Sequence, residues 1–262
     1  MAITAAMVKE LRELTGAGMM DCKKALGETD GNMDEAVEYL RKNGQAKAEK
    51  KASRIAAEGL CTVVVKDDKT AAVVEVNSET DFVAKNETFQ QFVKAVAEQA
   101  VESDAADMDA FMEEKWNEDP SKTVKDALVE KVAVIGENLK IRRFEKVVAA
   151  NGCVVSYVHG GGRIGVIVEA ETAVVNDAVK EMGKNIAMQI TAMKPVYTND
   201  SEVDEEYKAH ELEIIKSQIE NDPKMAGKPE KVINGAIMGR LNKQLKEICL
   251  LDQVYVQDSD LT

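Results

Sequence analysis

Aromatic residues are scarce in this chain: Phe, Tyr and Trp make up 4% of its 262 residues, and Trp116 is the only tryptophan. So few rings exclude a surface built to stack exposed bases, and they leave the core to Val, Ile, Leu, Ala and Met. Positive charge is also short. With 34 Lys and Arg against 47 Asp and Glu, the net charge is −13, whereas non-specific nucleic-acid binding needs clustered cations to neutralise phosphates. No direct nucleic-acid partner is therefore expected. Only two histidines occur, His159 and His210; neither lies in H-E-x-x-H or beside a Ser or Cys nucleophile motif, so acid–base catalysis has no anchor. Cys22, Cys61, Cys153 and Cys249 are far apart with no C-x-x-C pair, which signals neither zinc nor redox chemistry and suits small reduced core residues. No apolar run reaches the about 18 residues that a membrane span needs, and the N-terminus lacks a long apolar signal region. A cytoplasmic, soluble chain without membrane contact, cofactor or metal is the expectation, and not an enzyme.

Two glycine motifs narrow the field further. No G-x-x-x-x-G-K-S/T sequence is present, so the chain is not itself a GTPase. Gly160-Gly161-Gly162-Arg163-Ile164-Gly165 satisfies G-x-G-x-x-G, but a strand-like run, Ile164 to Glu169, follows directly. A dinucleotide site needs a helix N-terminus there to meet the pyrophosphate. The segment reads as a hairpin turn.

What is present is modular. Residues 1–56 hold 10 Lys and Arg against 9 Asp and Glu, a contribution of +1, so the rest carries −14. Thr4 caps a first helix with Met7, Val8, Leu11 and Leu14 on one face, ending at Gly16 to Gly18; a second covers Met20 to Leu26; a third runs from Asp34 to Lys42 with Gly44 as its stop. These three helices resemble a ubiquitin-associated domain. Gln45 to Arg54, with four cations and no aromatic, reads as a solvated helical linker. An internal repeat follows. Leu60 to Lys66, Ala71 to Val76 and a helix from Thr88 to about Glu102 form one strand-strand-helix unit, and Gly152 to His159, Ile164 to Glu169 and a helix from about Asn176 to Met193 form the second. Between them Asp107 to Trp116 and Ser121 to Ile135 read as helices and Leu139 to Val148 as a strand leading into the second unit. After Pro195, Glu205 to Ile219 and Glu230 to Ile248 read as an antiparallel helical hairpin, with Val232, Ala236, Ile237, Leu241, Leu245 and Ile248 as one stripe. The expected fold is α+β, with a three-helix head and linker at 1–56, core subdomains at 57–150 and 151–200, a helical hairpin, an antiparallel coiled coil, at 201–250, and a C-terminal segment, 251–262, returning to the second subdomain.

Glu75 to Lys85, E-V-N-S-E-T-D-F-V-A-K, is the most informative stretch. It places a ring, Phe82, and a carboxylate, Asp81, beyond the end of a strand in a polar connector. Phe82 reads either as core cover folded back onto the sheet or as a probe for a partner. The second repeat's connector, Ala170 to Asn176, has no aromatic, so the shared fold does not require one.

The same stretch resembles a signature of the elongation factor Ts family, the nucleotide-exchange factors of the GTPase elongation factor Tu. The run Leu11 to Leu26, L-R-E-L-T-G-A-G-M-M-D-C-K-K-A-L, resembles the family's other signature. Ile135-Gly136-Glu137-Asn138 with Ile141-Arg142-Arg143, and Tyr157 to His159 with Gly162 to Val166, are similar to its core region. The resemblance implies binding to elongation factor Tu in its GDP-bound and nucleotide-free states, displacement of Mg²⁺, and GDP release. It assigns the wedge that dislocates Mg²⁺ to Thr80, Asp81, Phe82 and Val83, and further partner contacts to Ile135, His159, Leu11, Arg12, Met19, Met20 and Lys23. Some members of the family dimerise through the core and others bind one to one, so a homodimer stays open. The family continues past a segment like Gln253-Val254-Tyr255-Val256 into a further helix and strand, which implies a truncated or a reduced C-terminal module here. The rival expectation is a docking scaffold or holdase that uses the head and hairpin and ignores the nucleotide state of any GTPase.

Overall fold

A computed structural model describes residues 3–261, as two compact units that divide after Lys184. The fold is α+β.

In the first unit the head consists of α1 (Ala5–Thr15), α2 (Met19–Glu28) and α3 (Met33–Lys51). Thr4 caps α1 through its hydroxyl, and Asn32 caps α3 by accepting from the amides of Asp34 and Glu35. Both supply an oxygen to N–H groups that a helix start leaves unpaired. Val8, Leu11, Cys22, Ala25, Leu26 and Ala36 form the head's own small core. Gly44 does not stop α3, which runs on to Lys51. Gly44 is buried where α3 lies against α7 (Val124–Ile135), facing Ala133 and Val129, and close packing there outweighs glycine's poor helix propensity. Ala48 joins the main core, so the linker expected to be solvated is helical and half attached.

The main sheet has strand order β1 (Glu58–Lys66), β2 (Thr70–Ser78), β5 (Lys140–Val148), all antiparallel. The strand expected to lead into the second repeat instead completes the first sheet, with Glu75 opposite Arg143. Such pairing joins residues about 70 apart in sequence and leaves no local pattern. Alternate residues of β2 explain its apolar run from Ala71 to Val74. Ala72, Val74 and Val76 face α5 (Glu87–Glu102), packing with Phe89, Phe92, Val93 and Val96. On the opposite face Ala71 packs with Val154 and Ile167 of the second hairpin, β6 (Cys153–His159) and β7 (Ile164–Ala170). A sheet covered on both faces needs apolar residues at every position. Gly165 makes the covering close: a Cβ there would sit 3.0 Å from Val73 Cγ2 and 3.2 Å from Cys61 Cβ. The second hairpin thus lies on the first sheet, and α8 (Asp177–Met193) follows it.

Between α5 and α7 the chain forms α6 (Met108–Glu113) and a short hairpin, β3 (Lys115–Trp116) and β4 (Asp119–Thr123). Ser121 and Lys122, expected in a helix, are strand residues, and α7 begins after Thr123 in a capping box with Asp126. Trp116 is buried, its ring 6.0 Å from that of Phe92.

In the second unit α9 (Glu205–Glu220) and α10 (Glu230–Ile248) form the expected antiparallel pair around Ile215, Ile219, Ile237 and Leu241. Val232 is exposed and Ile233 takes its place in the seam. From Asn185 the end of α8 carries Gln189, whose amide donates to Val254 O (3.1 Å) and whose carbonyl accepts from Val256 N (2.7 Å), tying down the C-terminal segment. No helix among the described residues is long and apolar enough to cross a membrane.

Candidate functional site

Phe82 is 80% exposed, on a four-residue helix, α4 (Asp81–Ala84). The local sequence dictates this turn. Thr80 is its N-cap, with Oγ1 accepting from Val83 N (3.4 Å), and Asn86 ends it by capping α5 through Thr88 N and Phe89 N. The cap of α5 is therefore Asn86, two residues before the Thr88 expected from sequence. Ala84 is buried and Val83 packs against the main core. That anchoring face turns Phe82 outward with Asp81 and Lys85. Lys85 Nζ lies 2.7 Å from Asp81 Oδ2 and 6.0 Å from the centre of the Phe82 ring. The ammonium's hydrogen bond and charge hold the Asp81 carboxyl below its ordinary range, with Arg163 adding a smaller pull.

Two sequence motifs meet beneath this turn. Glu137 Oε2 accepts from the amides of Glu79 (3.1 Å) and Thr80 (3.0 Å), and its Oε1 accepts from the Thr80 hydroxyl (2.7 Å). In return Glu79 Oε1 accepts from Asn138 N (2.6 Å), and Arg54 approaches the same oxygen at 3.4 Å. Further up the strands Glu75 pairs with Arg143 (2.7 Å) and Arg142 (3.5 Å). Sequence reasoning missed Glu137 and Glu79 as site residues. The available signal was Gly136, which caps α7 in the left-handed conformation and redirects the chain so that a carboxylate follows at once.

The glycine hairpin stands beside the turn. The carbonyl of Gly162 accepts from Cys61 N (2.6 Å) on β1, and a cavity of about 390 Å³ lies between Asp81, Lys85, Asn77 and Gly160 to Arg163. It is the hairpin turn expected, with no helix after it. His159 ends β6 at this turn and is exposed; its Nδ1 is 3.0 Å from the Tyr157 hydroxyl. Ile135 is half-buried at the end of α7, packed on the main core.

The head residues divide. Met19 and Met20 are exposed, the latter at 74%, as are Arg12 and Lys23. Leu14, expected on the apolar face of the first helix with Val8 and Leu11, is 66% exposed. Leu11 is a correction: it is fully buried in the head's core and cannot touch a partner directly. Its spacing from Val8 on α1 serves packing.

Among the described residues no group of three His, Cys, Asp or Glu is placed to hold a metal. Cys22, Cys153 and Cys249 are buried and Cys61 half-buried, and desolvation pushes the thiols of Cys22, Cys61 and Cys249 up, away from the thiolate form that reacts.

Comparison with known proteins agrees with the motifs. The family model described as Elongation factor TS matches residues 79–262. An Elongation factor Ts of Clostridium novyi (strain NT) is 51% identical over 261 residues, covering 99% of this chain and 84% of the relative. One from Clostridioides difficile (strain 630) is 53% identical with the same coverage, and one from Halothermothrix orenii is 46% identical over 263 residues, covering 100% of this chain and 86% of the relative. With such identity along nearly its whole length, the chain belongs to the elongation factor Ts family and is an elongation factor of protein synthesis.

Proposed function

We propose that the chain is a guanine-nucleotide exchange factor for elongation factor Tu, working by binding and not by making or breaking covalent bonds. The observation that carries this reading is the exposure of Phe82 on a turn fixed at both ends: a ring left in water on a rigid mount is disposed for a partner's pocket. The logic is linkage. A factor that binds the nucleotide-free GTPase more tightly than the nucleotide-bound form must weaken nucleotide affinity by the same ratio. Phe82 enters between helices of the GTPase and displaces the element that supports Mg²⁺, through which much of the attraction for the phosphates runs. Thr80 and Val83 hold the mount, and Asp81 orients it by polar contact. The head adds a second contact through Arg12, Met19, Met20 and Lys23, which are exposed on one short stretch. His159 and Ile135 add weaker contacts, and the factor acts in the cytoplasm.

Release of a fluorescent GDP from elongation factor Tu tests the reading. Burying one phenyl ring is worth about 1.5–3 kcal/mol, so Phe82→Ala is expected to slow release by about 10- to 100-fold. Release at the wild-type rate would overturn the wedge.

A further inference from the structure

We propose that Glu137 is a positioning residue for exchange, acting through Thr80 to fix the Phe82 turn; the inference rests on the exchange-factor reading above. The geometry is a relay. Glu137 fills the hydrogen-bonding capacity of the two amides that precede α4, Glu79 N and Thr80 N, with one carboxylate oxygen. With the other it accepts a hydrogen bond from the Thr80 hydroxyl, which commits that rotor. A hydroxyl has one proton and two lone pairs. Once its proton points at Glu137, a lone pair is left for Val83 N, the bond that closes the turn around Phe82.

One residue 57 positions from Thr80 in sequence thereby decides which way a surface ring faces. The reciprocal bond from Asn138 N to Glu79 makes the link two-sided, and Ser78 Oγ donates to Thr80 O (3.0 Å) from beneath. Two carboxylates tolerate this proximity because each is met by backbone amides, and Arg54 stands beside Glu79. Glu137 is half-buried beneath the turn it holds, and on this proposal its effect on exchange passes through Phe82.

Four full-length variants separate the possibilities in the fluorescent-GDP assay: Phe82→Ala, Glu137→Ala, Glu137→Gln and the double Phe82→Ala/Glu137→Ala. Glu137→Ala is expected to slow release about tenfold, as loss of a charged acceptor from three donors would. Glu137→Gln recovers most of the rate, because its carbonyl still accepts from both amides and its NH₂ can donate to the Thr80 oxygen. The double variant matches Phe82→Ala. A wild-type rate for Glu137→Ala, or effects that multiply in the double variant, would overturn the proposal. A second readout needs no partner: in the free protein the amides of Glu79, Thr80 and Val83 should exchange with solvent faster in Glu137→Ala, with those of α5 unchanged. If those amides stay protected, the relay is wrong; if they lose protection while Phe82→Ala exchanges nucleotide normally, the relay stands and the exchange reading falls. Should Glu137→Ala fail to fold, Thr80→Val removes the hydroxyl, and with it both the bond to Glu137 and the cap on Val83 N; a wild-type rate for it would sink the relay.

Discussion

Two connectors lead from a hairpin's second strand into a long helix, Glu79 to Asn86 in the first repeat and Glu171 to Asn176 in the second. Each leaves its hairpin at the same kind of place. Gly59, with φ of +138°, lies against the carbonyl of Val76, and Gly152, with φ of +105°, lies against that of Ala170. Both end in an asparagine that caps the helix, Asn86 for α5 and Asn176 for α8 through Val179 N (3.0 Å). In between they differ. The second is held by local bonds alone, Thr172 with Val174 at 3.1 and 3.2 Å, and leaves Val174 and Val175 exposed. The first folds an extra helical turn and is clamped from Glu137. A connector that only links elements needs local bonds. One that must present a ring against a load needs an anchor outside itself.

The comparison can be broken at its shared part first. Gly59→Ala and Gly152→Ala should each destabilise the protein by about 3 kcal/mol, since a Cβ meets backbone in a conformation that costs other residues strain; denaturant unfolding measures it, and a loss confined to one repeat would mean the two exits are not equivalent. Next comes the divergent part. Phe82→Ala should slow nucleotide release as stated above while shifting stability by less than about 0.5 kcal/mol, and Val174→Ala should leave both unchanged. The caps give a smaller contrast: Asn86→Ala and Asn176→Ala should each cost about 1 kcal/mol, but only the first should also slow release. The smallest effect is electrostatic. The Asp81 carboxyl titrates below its ordinary range because of Lys85, so its contact is complete above the ordinary Asp range and is lost as pH falls through the lowered midpoint. Carboxyl NMR should find that low midpoint in the wild type and see it rise in Lys85→Ala.

What the sequence made legible was whatever is local. Strand β2, the helix cap at Thr4, the glycine hairpin and the antiparallel α9 and α10 all follow from runs and punctuation of a few residues. What it hid was long-range. Gly44 reads as a stop until α7 is packed on it, Lys140–Val148 reads as an approach to the second repeat until it pairs with β2, and Glu137 reads only as one letter of a motif until Thr80 is beside it. Leu11 shows the converse: a place within a family signature does not separate residues that touch a partner from those that hold up the ones that do.

The lone indole has a practical consequence. Trp116 is buried against Phe92, between α5 and the β3–β4 hairpin, so tryptophan emission is a private gauge of packing in residues 3–184. The α9–α10 pair holds no tryptophan, whereas far-ultraviolet circular dichroism counts the helices of both units. Recording both signals through one thermal melt therefore separates the units without a label: a dichroism loss that tryptophan emission does not accompany belongs to the second unit, and coincident transitions mean that the two unfold together.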